Sequence, residues 1–383
     1  MTATLPDTTT GPARFRELFP ILSDTVHLAS CSLGPRSAAM DGALQRMLTE
    51  LHDDPTPWDQ WLAEVEQSRQ RFARLIGAAP HQIAVVPSAT VGAFQVATTL
   101  SWADRPKIIT TDAEYSSVAQ VWAAQQARGA QIAHIAEKPG AEPYADYLPA
   151  IDERVALASV PLVSYRTGAK LPVADIVAKA RDAGARVFID AYQAAGVAPI
   201  DVAELDCDYL VSGCMKYLLG IPGIAFLYVR DGVQDDQPPQ LTGFYGRANP
   251  IAFDPHALDW PPDARRFQVN MPTLPAAMVA NAGLGLLEGL DGHAVERHVS
   301  GLVDAAIERL TGLGVPLYSP TLPHLRGPQV AVIDENPMGL ARFMNARRIF
   351  PARGHVVRLS FHYFNNETDL DAACEAIAEW RAK

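Results

Sequence analysis

Residues 210–223, LVSGCMKYLLGIPG, place a lysine in the middle of an otherwise apolar run. The chain has only six lysines, and the other five lie in polar or turn-like surroundings. Because Lys216 is flanked by Met215 and Tyr217, we expect it to be desolvated, and desolvation favours the neutral amine. A neutral amine is a nucleophile that bonds to carbonyl carbons. The alternative is a lysine that reaches solvent from a strand end. Other parts of the chain are needed to choose between these two interpretations.

Composition limits the classes of function. The chain has 383 residues, a net charge of −11 and 48% hydrophobic residues, which is typical of a soluble protein of two or three domains. The negative charge argues against nucleic-acid and membrane partners, and no apolar window is long enough to span a membrane. The first residues lack the apolar core of a signal peptide, and the cysteines show no metal-like spacing. We therefore expect a cytoplasmic protein without a metal site.

Short apolar runs alternate with amphipathic helices over the first two thirds of the chain. Continuous apolar strands between helices indicate a mostly parallel sheet that is covered on both faces. The pattern predicts an α/β domain over residues 15–235 with a seven-stranded sheet. The predicted strands are residues 83–86, 107–110, 131–135, 155–163, 186–190, 209–213 and 224–229.

The last third of the chain predicts a smaller α+β domain. It begins with an irregular, proline-rich region, and short strands at 329–333 and 356–360 then alternate with helical patterns. We assign residues 236–383 to this domain and expect the N-terminal segment 1–36 to complete it. The predicted helices of the whole chain outside the sheet region are 37–52, 59–76, 275–290, 293–313, 337–347 and 367–381.

Two further stretches carry candidate chemistry. The strand in RVFIDAYQAAG (186–196) ends in Asp190, where ligands of α/β proteins bind, and a buried aspartate there can keep a pyridine nitrogen protonated. In VVPSATVGAFQVA (85–97), Ser88 opens a helix whose first amides suit a phosphate. Each stretch also has a simpler interpretation as an ordinary helix cap.

A phosphate-binding turn, an acidic strand end and then a lysine, in this order, resemble the fold-type I enzymes that depend on pyridoxal phosphate. The similarity is to the class V aminotransferase family, which includes cysteine desulfurases and kynureninases, and it runs from about residue 20 to the C-terminus. CMKYLLGIPGIAFLYV (214–229) matches the pattern K-[YW]-L-x-G-x-P-G, whose lysine forms the Schiff base. The resemblance thus implies pyridoxal 5′-phosphate as cofactor and Lys216 as the catalytic residue.

Four other motifs match the same family. HLASCSLGP (27–35) resembles a kynureninase-type stretch on the substrate side, and DAEYSSVAQ (112–120) resembles the segment whose aromatic ring, here Tyr115, stacks on the pyridine. SYRTGAKLP (164–172) matches a pattern on the strand beneath the cofactor, and RLSFHYFNNETDLD (358–371) matches one whose arginine binds the substrate carboxylate. By resemblance, the cofactor-binding residues are Ser88, Ala89, Thr90, Tyr115, Thr167, Asp190, Gln193, Ser212, Lys216, Asn270 and Thr273, and the substrate-binding residues are Ser32, Phe244, Arg247, Asn270 and Arg358.

Departures from these relatives bear on the reaction. In LTGFYGR (241–247), Phe244 and Arg247 replace the Trp and His of kynureninases, whereas RRFQVNMPT (265–273) keeps Asn270. Arg247 would favour an acidic or polar substrate, unless it is only a surface arginine. Residues 337–357 contain no cysteine, although cysteine desulfurases carry their catalytic cysteine there, so we do not expect a persulfide mechanism of that kind.

The resemblance leads to an expected reaction. We expect an enzyme that acts on a small L-amino acid through an external aldimine, first as a lyase at Cβ, with aminotransferase and epimerase activities as the alternatives. Intact Lys216, Asp190, Gln193 and Arg358 argue against a non-catalytic scaffold. The resemblance also implies a homodimer with shared active sites.

Overall fold

The computed structural model describes residues 11–137, 144–233 and 237–383, and a seven-stranded sheet lies at its centre. The strands are β1 (Val26–Leu28), β2 (Ile83–Val86), β3 (Lys107–Thr111), β4 (Gln131–Ile135), β5 (Val155–Pro161), β6 (Arg186–Asp190), β7 (Tyr209–Gly213), β8 (Ala225–Val229), β9 (Gln329–Val332), β10 (Ile349–Pro351) and β11 (Val357–Ser360). The central sheet has the order β2-β8-β7-β6-β5-β3-β4, and β8 is antiparallel to both of its neighbours. The other pairs in the sheet are parallel. The mostly parallel seven-stranded sheet is therefore confirmed.

Helices flank this sheet and form most of the remaining structure. They are α1 (Pro12–Arg16), α2 (Ala38–Asp53), α3 (Trp58–Leu75), α4 (Ala89–Thr99), α5 (Ser116–Ala124), α6 (Tyr147–Ala150), α7 (Val173–Asp182), α8 (Val202–Leu205), α9 (Leu274–Leu287), α10 (Gly292–Gly312), α11 (Pro337–Asn345) and α12 (Glu367–Arg381). The six predicted helices outside the sheet region each match one of these to within about three residues.

Both faces of the sheet are covered, as the continuous apolar strands require. On one face Phe188 of β6 packs edge-on against Trp122 of α5, with ring centroids 5.1 Å apart. On the other face Phe226 of β8 stacks on Phe72 of α3 at 4.6 Å. Neighbouring residues of one strand point to opposite faces, so a strand buried on both sides must be apolar throughout.

The predicted strand 155–163 is two residues too long. It ends at Pro161, and Val163 makes only an isolated bridge to Lys170. The segment 164–172 is consequently a turn after β5, not the strand that its motif suggested. Gly168 explains the turn: its φ of +73° is left-handed, and a Cβ there would lie 2.6 Å from the carbonyl oxygen of Gln329.

The N-terminal segment contacts the C-terminal part of the chain. Strand β1 pairs in parallel with β10, and β9 pairs antiparallel with β11. Arg16 forms an ion pair with Asp369 at 2.8 Å, and Phe19 packs on Phe364 with ring centroids 5.0 Å apart. The predicted domain boundary between residues 235 and 236 lies outside the described residues, as do residues 1–10 of the N-terminal segment. The division into two domains stays a prediction.

Neither a membrane span nor a metal cluster occurs in the described ranges. Among these residues, none of the helices is long and apolar enough to cross a membrane. The same residues contain no group of three or more His, Cys, Asp or Glu side chains that could hold a metal ion.

Candidate active site

A cavity of about 270 Å³ opens beside the turn that follows β7, at the carboxyl ends of the parallel strands. Seven separate segments build its wall, and they include five of the predicted site residues. The lining residues that carry the argument below are Ser32, Tyr115, Gln193, Lys216 and Arg358, which were predicted, and Cys31, Tyr165, Arg166, Tyr318, Arg353 and His355, which were not.

Lys216 is buried at the cavity, with 6% of its surface exposed. Its Nζ atom lies 5.3 Å from the ring centroid of Tyr115 and 4.2 Å from that of Tyr192. Burial lowers the pKa of the Lys216 amine from 10.5 to about 8, which outweighs the opposing effect of the Asp190 carboxylate. The apolar run around this lysine therefore lowers the pKa of the amine, as the sequence indicated.

The turn that carries Lys216 is tightly packed on the N-terminal segment. The Gly34 amide donates to the Met215 carbonyl oxygen at 2.8 Å, and a Cβ on Gly34 would lie 2.7 Å from the Lys216 carbonyl oxygen. Only glycine permits this approach. It brings Cys31 and Ser32 to the cavity wall, so the S-L-G motif acts through its backbone as well as its side chains.

Asp190 ends β6 as a buried carboxylate. One of its oxygens accepts a hydrogen bond from the Tyr192 amide at 2.8 Å, and the other accepts none from the residues that the structure describes. Burial raises the pKa of Asp190, against the opposing effects of the Tyr192 amide and of Lys216. A cation that approached the free oxygen would favour the carboxylate form.

Gln193 also has unused hydrogen-bonding capacity. Its Nε2 donates to the Cys31 carbonyl oxygen at 3.1 Å, which leaves the second hydrogen of this amide available, and its Oε1 is buried without a partner in the part of the chain that the structure describes. Buried polar atoms without partners are uncommon in folded proteins and often mark a ligand contact. Gln193 thus fits an oxygen substituent of a bound ring.

The N-terminus of α4 is formed as predicted. The Ser88 hydroxyl caps the helix by accepting from the Val91 amide at 3.2 Å. The amides of Ala89 and Thr90 have no acceptor among the described residues, as expected for the first turn of a helix. The Ser212 hydroxyl, at the end of β7, is buried, and among the described residues it makes only a long bond of 3.4 Å to the Gly213 carbonyl oxygen. These donors fit a phosphate group.

Arg358 is positioned by its strand and by one carbonyl oxygen. It lies on β11, and its Nη1 donates to the Tyr165 carbonyl oxygen at 2.6 Å. Reciprocal backbone bonds to Ala352, of 2.8 and 2.9 Å, close the loop in front of it. The guanidinium keeps other donors for an anion in the cavity.

Glu114 was missed by the sequence interpretation. It precedes Tyr115, is buried, and accepts hydrogen bonds from the Ser159 hydroxyl at 2.7 Å and the Tyr115 amide at 3.1 Å. Burial, and then the nearby Asp190, raise the pKa of Glu114 to about 8. The polar sequence TDAEYSS does not indicate that Glu114 is buried, because the burial of Glu114 depends on β5 and α6, which pack over it.

Ten of the fifteen predicted residues lie outside the cavity lining of this chain: Asp190, Ser212 and the residues Ser88, Ala89 and Thr90 at the start of α4, described above, and five more. Thr167 is buried in the turn after β5, where its hydroxyl accepts from the Ala169 amide at 3.3 Å. Arg247 forms an ion pair with Asp259, and Phe244 packs on Phe253 with ring centroids 5.1 Å apart. Asn270 and Thr273 are exposed. The predicted roles of these last five residues stay predictions, and all but that of Thr167 concern one surface segment, residues 241–273.

Comparisons of the sequence place it among known enzymes. The profile of the aminotransferase class-V family matches residues 53–373. The uncharacterized aminotransferase YcbU of Bacillus subtilis (strain 168) is 32% identical over 368 residues, which is 96% of this chain and 97% of the relative. A kynureninase of Burkholderia mallei (strain SAVP1) is 28% identical over 345 residues, which is 85% of this chain and 81% of the relative.

Solved structures share the fold at low sequence identity. The apo cysteine desulfurase from Thermococcus onnurineus NA1 superposes with a TM-score of 0.84 at 21% identity, covering 98% of this chain and 99% of that one. The cystine C–S lyase C-DES, in complex with its product cysteine persulfide, superposes with a TM-score of 0.86 at 20% identity, covering 94% of this chain and 99% of that one.

Proposed function

Because this chain belongs to the aminotransferase class-V family of enzymes, which depend on pyridoxal phosphate, we propose that it cleaves a bond at Cβ of a small L-amino acid. One observation carries the proposal: the buried Lys216 amine and the Arg358 guanidinium line the same cavity, beside the strand end that carries Asp190. An amine that bonds a carbonyl, a carboxylate that faces a ring nitrogen and an arginine that binds a carboxylate are the three groups that amino-acid chemistry with this cofactor requires.

The cofactor would be held by groups whose capacity is otherwise unused. The first amides of α4, with Ser88 and Ser212, would bind the phosphate, and the free oxygen of Asp190 would accept a hydrogen bond from the protonated ring nitrogen and so keep it protonated. Tyr115 would stack on the ring, and the free amide hydrogen of Gln193 would donate to its oxygen substituent. When bound, pyridoxal phosphate supplies an electron sink that weakens the bonds at the substrate Cα.

The side chains of the cavity divide the remaining work. Arg358 binds the substrate carboxylate through a planar fork and so fixes the orientation of the Cα bonds. Lys216 Nζ takes the proton from Cα and returns it, and its pKa of about 8 suits transfer in both directions near neutral pH. Lys216 is buried, and burial strengthens the electrostatic contacts of its amine.

Two reaction types are supported by different relatives. Cleavage at Cβ is supported by the kynureninases and by the retained Asn270 in a kynureninase-like stretch. Transamination is the second candidate, and it is supported by the 32% identical Bacillus relative that is described as an aminotransferase. The residues of the cavity serve both reactions, since each begins with proton removal at Cα.

A homodimer is part of the proposal. The segment 241–273 exposes large apolar side chains, with Ile251 77%, Phe253 76% and Leu258 68% exposed. Exposed apolar clusters of this kind are typical of protein–protein interfaces. A second copy seated on this segment would also bring Phe244, Asn270 and Thr273 towards its own cavity.

A product assay tests the function. The purified enzyme is loaded with pyridoxal phosphate and incubated with a panel of L-amino acids, while the cofactor absorbance is followed and products are identified by mass. A lyase releases a side-chain fragment and turns over without a second substrate, whereas an aminotransferase yields a 2-oxo acid and stops unless an amino acceptor is added. Lys216→Ala should abolish the cofactor absorbance shift, and the exposed Lys179→Ala serves as the matched control. An unchanged spectrum in Lys216→Ala would refute the assignment.

A further inference from the structure

The cavity wall carries an unusual excess of positive charge. Arg166, Arg353 and Arg358 line it together with Lys216 and His355, and the lining contains no Asp or Glu. The chain as a whole has 43 acidic and 32 basic residues. A cationic cavity in an acidic protein concentrates anionic ligands.

The three arginines are not neutralised by any carboxylate that the structure describes. None of them forms an ion pair with a carboxylate of the described residues. Elsewhere arginines commonly do so: Arg16 pairs with Asp369 at 2.8 Å, and Arg348 pairs with Asp24 at 2.9 Å. The arginines of the cavity therefore keep their charge-assisted donors for a ligand.

The side chain of Arg166 is held in place by Tyr318. Its Nη2 donates to the Tyr318 hydroxyl at 3.2 Å, and its guanidinium carbon lies 5.8 Å from the centroid of the Tyr318 ring. Its neighbour Tyr165 accepts the Arg358 bond of 2.6 Å through the backbone, so the two guanidinium groups are anchored to adjacent residues of one turn.

Arg353 reaches the cavity from a different part of the chain than Arg166. It lies in the loop between β10 and β11, which the Ala352–Arg358 backbone bonds close, and it is exposed without a hydrogen-bond or ion-pair partner among the described residues. The Arg353 guanidinium therefore has no partner of its own among these residues and is available to a ligand in the cavity.

We propose that this cavity selects amino acids whose side chain carries a second anionic group, such as a carboxylate, sulfinate or phosphate. The proposal rests on the proposed function, in which Arg358 binds the α-carboxylate. Arg166 and Arg353 are then the specificity-determining residues that bind the side-chain anion. From the sequence, Arg247 was expected to favour acidic substrates. Because Arg247 is already paired with Asp259, we assign this preference to Arg166 and Arg353 instead.

The test compares matched acidic and neutral substrates. The enzyme loaded with pyridoxal phosphate is assayed with four acidic substrates, aspartate, glutamate, cysteine sulfinate and O-phosphoserine. The neutral substrates for comparison are asparagine, glutamine and alanine. Comparison among the acidic substrates distinguishes the type of anion and the length of the side chain. We expect kcat/KM to favour one acidic member over its neutral isostere by about 10- to 100-fold, the range of a charge-assisted hydrogen-bond pair. Arg353→Gln and Arg166→Gln should each lower this ratio by about 10-fold or more. Arg381→Gln, in an exposed position at the end of α12, should leave it unchanged.

A binding measurement separates this proposal from the proposed function. Succinate should bind more tightly than butyrate, measured as the shift in thermal midpoint of the loaded enzyme, and Arg353→Gln should remove the difference. Equal turnover of neutral and acidic amino acids, with ratios unaffected by both variants, would overturn the second-anion site and leave the enzyme assignment intact. If no amino acid perturbs the cofactor absorbance, the proposed function fails, and the succinate preference alone then decides whether the cavity binds two anions.

Discussion

Replacing Lys216 by methionine should stabilise the cofactor-free protein at neutral pH. The folded protein lowers the pKa of this amine from 10.5 to about 8, mainly by burial. Since one pKa unit corresponds to about 1.4 kcal/mol, holding the protonated amine in the fold costs about 3 kcal/mol below pH 8. Methionine fills a similar volume without a charge, so Lys216→Met should raise the free energy of unfolding by up to about 3 kcal/mol at pH 7.

The pH dependence of the effect has a definite sign. Between pH 8 and 10.5 the unfolded chain binds the lysine proton and the folded chain does not, so the stability of the wild-type protein rises with pH in this window. Lys216→Met lacks this rise. The difference between the two proteins should consequently be largest below pH 8 and should shrink towards pH 10.5. Asp190, Cys31 and Arg358, which also act on the pKa of Lys216, are present in both proteins.

The assay is urea unfolding of the cofactor-free proteins, followed by tryptophan fluorescence at several pH values between 7 and 10.5. Lys179→Met, on the exposed face of α7, is the control for loss of a lysine at the surface and should change stability by less than about 0.5 kcal/mol. Adding pyridoxal phosphate should stabilise the wild type more than Lys216→Met, because only the wild type offers an amine to the aldehyde. A wild-type protein that is more stable than Lys216→Met at pH 7, or a difference that does not vary with pH, would contradict the reasoning.

Four further changes probe other parts of the structure. Glu114→Gln should be more stable than the wild type at pH 8, with the difference growing between pH 4.5 and about 8 in urea titrations, because over this range the unfolded chain releases the proton of this carboxyl group while the folded protein keeps it. Arg358→Lys should raise KM for the preferred amino acid by roughly 10-fold or more with a smaller change in kcat, since an ammonium cannot form the planar fork. Gly34→Ala should lower stability by about 1–3 kcal/mol, because its Cβ would lie 2.7 Å from a carbonyl oxygen, whereas Gly42→Ala, inside α2 with nothing within 4 Å, should raise it by up to about 1 kcal/mol in thermal melts. Phe253→Asp, at a residue 76% exposed, should reduce the mass measured by light scattering from dimer towards monomer.

The sequence predicts the sheet well because its strands, apart from the partly exposed edge strand β4, are buried on both faces. Every predicted strand between residues 83 and 229 is present, with bounds that differ by two residues or fewer. The segment 164–172 was misplaced on a strand because β5 already ends at Pro161 and a left-handed glycine, Gly168, holds the residues that follow in a turn. Its side-chain pattern does not reveal that backbone conformation.

The site was less predictable where contacts come from distant parts of the chain. Lys216, Arg358 and Tyr115 lie in motifs, so their convergence followed from the fold. Arg166 and Arg353 carry no motif of their own, and only the meeting of the turn after β5 with the loop before β11 brings them to one cavity. An arginine is a surface residue by default, and its pairing, as with Arg247, becomes visible only in three dimensions.

The two buried carboxyl groups near Lys216, those of Glu114 and Asp190, differ in the charged groups around them. The Asp190 charge opposes ionisation of Glu114, and burial disfavours the charge of both groups. Asp190 has a cationic neighbour in Lys216, which lowers its pKa, whereas Glu114 has none of that kind and keeps its proton up to about pH 8. Of the two groups, Asp190 is therefore the one whose carboxylate form Lys216 favours, and it is also the one whose second oxygen accepts no hydrogen bond from the described residues. That is the oxygen which a protonated ring nitrogen would require, and the proton that Glu114 keeps below about pH 8 avoids a second buried negative charge beside it.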